Sequence, residues 1–363
     1  MRLGVEAAVV DGVLLRGDVE IADGRIVAVG VNGGNGRGIA IPGLVDLQVN
    51  GFRGVDFAAA DAAGYRRAGE ALVECGVTAF QPTLITAPED ELVAALAEVP
   101  LDLIGPRVIG VHLEGPFLSP VRLGAHPVSA RRDPDPALLE RLLAAGPVSE
   151  MTLAPELDGA LDLIDILNAH GVVASCGHSD ATAEQATLAF DRGAATVTHL
   201  FNAMRPLGHR DPGIAGAALA RDDVVVQMIL DGQHLADETA KVVWRAAAGR
   251  VALVSDAIAA AGMGDGSYRL GSVEVDVRDG VARRGDGVLA GSSQTLIEAV
   301  RMLHALGVPL ADAVGAATVV PARVARRPEL GSLTPGADAD VVVLDDALEI
   351  RAVFVGGEDL VAA

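Results

Sequence analysis

Glu114 in GVHLEGP, His178 in CGHSD and His199 in VTHLF each stand at or just past the end of a short apolar run. One carboxylate and two imidazoles form the donor set of a catalytic zinc ion that keeps one coordination position for water. The same set suits ferrous iron. A single histidine in such a place is as often a satisfied core residue. Three candidates in register on separate runs are not what scattered core polars produce. Asp256, in VALVSDA, ends another apolar run. A buried carboxylate there needs a partner, and beside a metal-activated water it is placed to take the water's proton and pass it to a leaving amine. The alternative for Asp256 is a helix N-cap, since Ser255 and Asp256 precede AIAAAG.

Arg205, His209 and Arg210 fall within six residues in LFNAMRPLGHRDPG, which closes on a rigid Asp-Pro-Gly turn. In an acidic chain this is a concentrated cationic loop, read either as an anion clamp for phosphate or carboxylate or as a solvated loop. His126, in RLGAHP, sits where an imidazole can polarise a carbonyl oxygen or bind a hydroxyl, and His234 ends DGQH. His170 and His304 read as ordinary helix residues. Cys75 and Cys176, outside any CxxC, read as small hydrophobes.

These residues need a scaffold that brings separate run ends to one face. Eight strand-like runs recur at 43–51, 77–86, 107–115, 151–156, 172–179, 195–203, 224–234 and 251–257. Helical segments at 61–75, 89–98, 135–145, 158–169, 182–192 and 237–248 alternate with most of them, and a last one, SQTLIEAVRMLHALG, follows. Alternating strands and helices mean βα units and a parallel sheet. Eight units predict a (β/α)8 barrel, whose active site lies at the C-terminal ends of the strands. There the runs deliver Gln48 and Asn50, Glu114, His178, His199 and Asn202, His234, and Asp256. A doubly wound sheet is the alternative, but it does not explain why so many runs end in a polar cluster. The two ends of the chain are β-rich, with a hairpin signal at Ala22-Asp23-Gly24. They predict a small β-sandwich domain of residues 1–41 and 335–363 around a catalytic barrel of 42–334, with a β excursion at about 265–291. Two unrelated edge hairpins are the alternative for the ends.

Composition narrows the function. Half the residues are apolar and 21% are charged, which supplies a core. Twenty-eight basic against 49 acidic residues give a net charge of −21, unsuited to binding nucleic acid or anionic membrane. The first twenty residues carry Glu6, Asp11 and Asp18 and do not read as a signal peptide, and no apolar run approaches the length that spans a bilayer. A soluble, cytoplasmic protein is expected. Lys241 is the single lysine, in a helical surface stretch, which argues against Schiff-base, P-loop or carbamate-bridged metal chemistry.

Nearly end to end, the motifs IPGLVDLQVNGFRGVDF, GVTAFQPTLIT, GVHLEGPFLSP, RLGAHP, TLAPE, GHSDAT, THLFNAM, HRDPGIAGA, DGQHL, LVSDA and GSLTPGADADVVVLD resemble those of the N-acetylglucosamine-6-phosphate deacetylase family of the amidohydrolase superfamily. HLEGPF, GHSDAT and THLFNAM carry the resemblance to the family; IPGLVD and the closing motif mark only the superfamily. The resemblance implies hydrolysis of the acetamide of N-acetyl-D-glucosamine 6-phosphate to D-glucosamine 6-phosphate and acetate, in amino-sugar catabolism. It implies Glu114, His178 and His199 as metal ligands, Asp256 as general base and acid, and His126 on the acetyl carbonyl or nearby substrate atoms. Asn202, Ala203 and His234 would line the sugar-phosphate site, with Gln48 and Asn50 counted among the substrate-binding residues. Arg210 would reach the phosphate in the neighbouring subunit of a homodimer. Many amidohydrolases carry His-x-His where this chain has Gln48-Val49-Asn50, and amides are poor metal ligands. One divalent metal per subunit, Zn2+ or Fe2+, is therefore expected. The competing readings are deacetylation of N-acetylgalactosamine 6-phosphate, hydrolysis of a cyclic amide, and a metal-free sugar-phosphate binder, which would have no use for Asp256.

Overall fold

The computed structural model describes residues 1–32 and 36–361. Its centre is a parallel barrel of eight strands: β1 (Leu44–Val49), β2 (Val77–Ile85), β3 (Arg107–Val108 and Val111–Glu114), β4 (Val148–Leu153), β5 (Val173–Cys176), β6 (Thr196–Val197), β7 (Val225–Met228) and β8 (Val251–Leu253). Each pairs in parallel with the next. Closure is made at the top, where Val49 bridges Ala257 and the Asn50 N–H donates to the Ala257 carbonyl at 2.7 Å. Lower down, residues past the helix Leu310–Gly315 fill the seam. There the Leu253 N–H donates to Ala316 O (2.7 Å) and the Val45 N–H to Ala317 O (2.9 Å).

A helix follows every strand, as the βα rhythm requires: Ala62–Glu74, Glu89–Ala97, Pro136–Ala145, Ala160–Ala169, Ala183–Asp191, Gly213–Leu219, Asp237–Ala246 and Leu296–Ala305. Their starts follow local chemistry. Asp61 and Asp135 cap their helices through side-chain oxygens, and Thr182 with Gln185 forms a reciprocal capping box.

The strands are buried on both faces, so alternation appears as apolar against polar rather than in against out. Along β1, apolar Val45, Leu47 and Val49 alternate with polar Asp46 and Gln48, and all five are buried. Below the rim the interior is a polar lattice. His112 contacts Thr83 Oγ1 (3.3 Å) and Thr152 Oγ1 (2.7 Å), and Thr198 Oγ1 joins Thr152 and Ser175 at 2.6 Å each. Deeper still, Gln227 donates to Glu150 Oε1 at 2.6 Å.

Strands from both ends share one sheet. Its order runs through Val13–Arg16, Ala7–Val10, Ile39–Pro42, Val341–Leu344, Ile350–Val355 and Glu358–Asp359. The antiparallel pairing of Ile39–Pro42 with Val341–Leu344 makes it one unit rather than two unrelated hairpins. A second hairpin, Asp18–Ala22 with Arg25–Val31, turns at Asp23 and Gly24, both at positive φ, as the turn signal requires. The expected domain of 1–41 and 335–363 includes residues 33–35 and 362–363, which lie outside the described residues. The excursion is a three-stranded antiparallel sheet, Gly266–Leu270, Val273–Arg278 and Val281–Arg284, whose apolar face packs on Ile85, Ala125 and Ile258 above the barrel mouth.

Several expectations are corrected. The fourth strand is Val148–Leu153, not 151–156, because Ala154 and Pro155 already belong to the turn leaving the barrel. The sixth run is a strand for two residues only, after which the chain turns through positive φ at His199, Phe201 and Ala203. The helix Gly213–Leu219 is not expected from the sequence, because its two glycines look like loop. Gly216 lets Pro212 and Leu207 approach closer than a side chain would allow. No helix N-cap forms at Asp256: residues 257–262 continue as a bridge and turns.

Candidate active site

The strand ends converge on a cavity of about 180 Å³ lined by Asn50, Glu114, His126, His178, His199, Asn202, Ala203, His234 and Asp256. Glu114 is the last residue of β3. His178 follows β5 across Gly177, where a Cβ would press on Thr152 and Thr198 at 2.9 Å, so only glycine lets the chain turn there. His199 lies two residues past β6, and Asp256 three past β8. His178, His199 and Asp256 all take positive φ (47°, 32° and 49°), a conformation that costs free energy for side-chain-bearing residues.

Glu114 Oε1 stands 3.0 Å from His178 Nε2 and 2.8 Å from His199 Nε2, and the two Nε2 atoms are 3.1 Å apart. His178 Nδ1 donates to the Arg122 carbonyl at 2.9 Å, so in the neutral ring Nε2 is a bare lone pair aimed at a carboxylate. Such convergence of lone pairs repels unless a cation sits among them. A ligand histidine whose other nitrogen donates to a carbonyl is also the usual arrangement at metal sites. The donor set therefore fits a divalent ion, and among the described residues it is the one group of three or more such side chains that does. His199 Nδ1 is buried without a hydrogen-bond partner among the described residues. Burial works against the Glu114 charge, but the neighbouring His178 and His126 outweigh it and hold the carboxyl well below its usual range.

Asp256 is the counterpart. Burial first, then the charge of Glu114, pushes its carboxyl up to about 7, against the opposing pull of His199, His234 and Asn50. Its Oδ1 accepts from Asn50 Nδ2 (2.7 Å) and Gln48 Nε2 (3.0 Å). The Gln48 amide also reaches Glu114 Oε1 at 3.2 Å. This corrects the reading of Gln48 as a substrate contact. It is fully buried, does not line the cavity, and braces the two carboxylates from one layer below. Both Gln48 and Asn50 direct their N–H groups at carboxylates, and their amide oxygens, which have no partner among the described residues, are poor metal ligands beside imidazoles.

His126 comes in from the loop after β3. Its Nδ1 lies 3.3 Å from the Thr86 N–H and 3.0 Å from Thr86 Oγ1, while Nε2 lies 3.3 Å from Glu114 Oε2. Because a backbone N–H can only donate, Nδ1 accepts and Nε2 carries the proton. Burial, reinforced by His178, pushes the ring down to about 4, so it is neutral at physiological pH.

The cationic loop is only partly free. Arg205 is spent on Asp211 (2.6 Å) and Asp180 (3.3 Å), which removes it from any clamp. Arg210 and His209 are exposed, do not line the cavity, and make no ion pair among the described residues. Three supporting residues escape a reading based on motifs. Thr86, just past β2, donates Oγ1 to the Glu114 carbonyl at 3.0 Å. Glu156 accepts from Ser179 Oγ and the Asp180 N–H, both at 2.7 Å, and so pins the turn that holds His178. Asp231 engages His234. The available signals were the end of the β2 run, the carboxylate of TLAPE, and the Asp three residues ahead of His234.

The pattern of the amidohydrolase family matches residues 39–360 of this sequence. The chain belongs to the amidohydrolase family. Within that family it is 39% identical, over 96% of its length and 92% of the relative's, to the N-acetylglucosamine-6-phosphate deacetylase of Mus musculus. It is 37% identical, over 87% of its length and 86% of the relative's, to an N-acetylgalactosamine-6-phosphate deacetylase of Escherichia coli O157:H7. The solved structure of the Mycobacterium smegmatis N-acetyl-D-glucosamine-6-phosphate deacetylase, in complex with N-acetyl-D-glucosamine-6-phosphate, superposes with a TM-score of 0.94 at 40% identity, covering 99% of this chain and 98% of that one. For an amidohydrolase, the cavity therefore lies where the fold class puts its chemistry, at the C-terminal rim of the strands.

Proposed function

We propose that this amidohydrolase hydrolyses the acetamide of N-acetyl-D-glucosamine 6-phosphate to D-glucosamine 6-phosphate and acetate. The observation that carries the mechanism is that a convergent Glu114–His178–His199 donor set shares one cavity with the buried Asp256 carboxyl, which Asn50 and Gln48 hold in place. Glu114, His178 and His199 would hold one divalent ion per chain, zinc or ferrous iron. When bound, such an ion supplies Lewis-acid activation of water and of the amide carbonyl.

The protein's own groups do the rest. Asp256 Oδ1 is tied down by Gln48 and Asn50, so Oδ2 is the oxygen that takes the proton as water adds to the acetyl carbon. The neutral His126 offers its Nε2–H to the carbonyl oxygen as charge develops there. The carbon–nitrogen bond then breaks, Asp256 returns the proton to the departing amine, and acetate remains. Asn50, Asn202, Ala203 and His234 form the wall that orients the sugar.

The exposed Arg210 suits a role across a homodimer, closing on the phosphate in the neighbouring chain's site. We also infer that the protein works in the cytoplasm, since the substrate class is metabolic; among the described residues no helix is long and apolar enough to cross a membrane. We assign residues 1–41 and 335–363 to the small β-sandwich domain and 42–334 to the catalytic barrel. The test is acetate release by protein of measured metal content. N-acetylglucosamine 6-phosphate is compared with its galacto epimer and with unphosphorylated N-acetylglucosamine. Preference for the gluco phosphate is expected, and no turnover of any of the three by metal-loaded protein overturns the reading.

A further inference from the structure

Asp231 lies on the loop after β7, three residues ahead of His234, and both side chains are nearly buried (6% and 5% exposed). Its Oδ1 accepts the backbone N–H groups of Gln233 (2.9 Å) and His234 (3.0 Å), and its Oδ2 stands 2.8 Å from His234 Nδ1. Three donors are thus committed to one carboxylate that the mechanism above does not use. An ionised carboxylate only accepts, so Nδ1 must carry a proton. His234 Nε2 has no protein partner among the described residues, and it is the ring nitrogen left for the cavity that His234 lines.

We propose that Asp231 is a positioning residue that fixes His234 with its proton on Nδ1, so that Nε2 alone meets the bound sugar phosphate, as a charged N–H donor once the ring is protonated. The inference rests on the deacetylase reading of the site. The charges around the ring agree with it. Burial disfavours the imidazolium and so does Arg283 of the excursion, but Asp231 and then Asp256 outweigh them, and the ring titrates above its ordinary value. In the other direction, burial would raise Asp231, yet the His234 hydrogen bond and charge hold its carboxyl far below the usual range. The pair is a short-range carboxylate–imidazole couple whose open end faces the cavity, across the barrel from the β3 end that carries Glu114 and His126.

Asp231→Asn tests this directly. The asparagine keeps an oxygen for the two backbone N–H groups and turns its amide N–H toward Nδ1, which reverses the tautomer and removes the charge. The expected result is a KM for N-acetylglucosamine 6-phosphate raised about tenfold, with kcat within about threefold of wild type. Metal content stays unchanged, while the thermal midpoint falls at neutral pH, because the ionised Asp231 that His234 and the two backbone N–H groups stabilise is lost. Protonated His234 favours binding, so kcat/KM falls as pH rises through its titration. Losing the Asp231 charge moves that fall to lower pH. In a His234→Gln background the same substitution should change KM by less than about twofold. An unmoved KM and pH profile, or an equal further loss in the His234→Gln background, overturns the proposal. Failure of the wild-type enzyme to release acetate overturns the deacetylase reading instead, so the two failures are separable.

Discussion

Replacing Asp256 by asparagine should abolish turnover and at the same time stabilise the metal-free fold. Asparagine is nearly isosteric, and its oxygen can keep the hydrogen bonds from Asn50 and Gln48, so the local geometry has little reason to change. What is lost is the proton carrier, a loss worth about two to four orders of magnitude in rate. What is gained follows from burial. The carboxyl rises from 3.8 to about 7 on folding, chiefly through desolvation and then through Glu114. At about 1.4 kcal/mol per tenfold change, the ionised form withholds about 4 kcal/mol from the fold. Because the folded-state value is raised, this penalty is absent below about pH 4, grows from there to pH 7 and is complete above it. Chelated wild type and variant should therefore unfold together in acid, with the variant several degrees more stable at pH 8. Acetate release, metal analysis and urea unfolding at pH 4 and pH 8 measure each part. Near-wild-type turnover, or a variant less stable than wild type at pH 8 without metal, would refute the reasoning.

Arg210→Ala should raise KM for the phosphorylated substrate while leaving turnover of unphosphorylated N-acetylglucosamine unchanged; an equal effect on both sugars removes Arg210 from the phosphate. Metal analysis should find one divalent ion per chain, lost together with activity on treatment with a chelator; two ions per chain would contradict the placement of Gln48 and Asn50. Burial pushes Glu150 up to about 8, with Gln227 opposing and Glu114 reinforcing. Its folded-state value is raised, so wild type should lose stability as pH rises from 5 to 8. Glu150→Gln should flatten that slope in urea unfolding, and an unchanged slope counts against a neutral Glu150.

The barrel was legible because each βα unit repeats two periods, an apolar run and an amphipathic helix, that no other simple fold strings together eight times. Glu114, His178, His199 and Asp256 were legible because a polar residue at the end of an apolar run has few structural uses. Gln48 shows the limit. Position along a strand says that a residue points inward, but not whether it stands at the rim or one layer below, and that depends on the stagger of neighbouring strands. Arg205 and Arg210 show another limit. The two are alike in sequence, yet Asp180, twenty-five residues away, takes Arg205 and not Arg210. Thr86 and Glu156 act through backbone groups of other loops, which no spacing within their own motifs reveals.

The backbone at the site explains why its residues stand out from their local context. His178, His199 and Asp256 occupy the left-handed region, where glycine or asparagine would be more comfortable. Each follows a strand by two or three residues and turns back over the barrel mouth, so the strained residue is the one whose side chain reaches the centre. In the ordinary helical or extended conformations the chain would carry on outward to its helix, and the three side chains would separate. The fold holds the turns closed from outside the site: Glu156 clamps the turn after β5, Ser179 N–H donates to Ala203 O at 3.1 Å and ties it to the loop after β6, and Ser292 N–H donates to Asp256 O at 2.8 Å after β8. Strain at these three residues is thus offset by hydrogen bonds made at or close to them in the chain. On this argument, loosening those neighbours should cost metal affinity before it costs the fold. Glu156→Gln, which weakens the clamp without entering the cavity, should raise the metal dissociation constant by about tenfold or more, with the thermal midpoint of the chelated protein unchanged. Equal losses of metal affinity and chelated stability would show that the turn is merely part of the core.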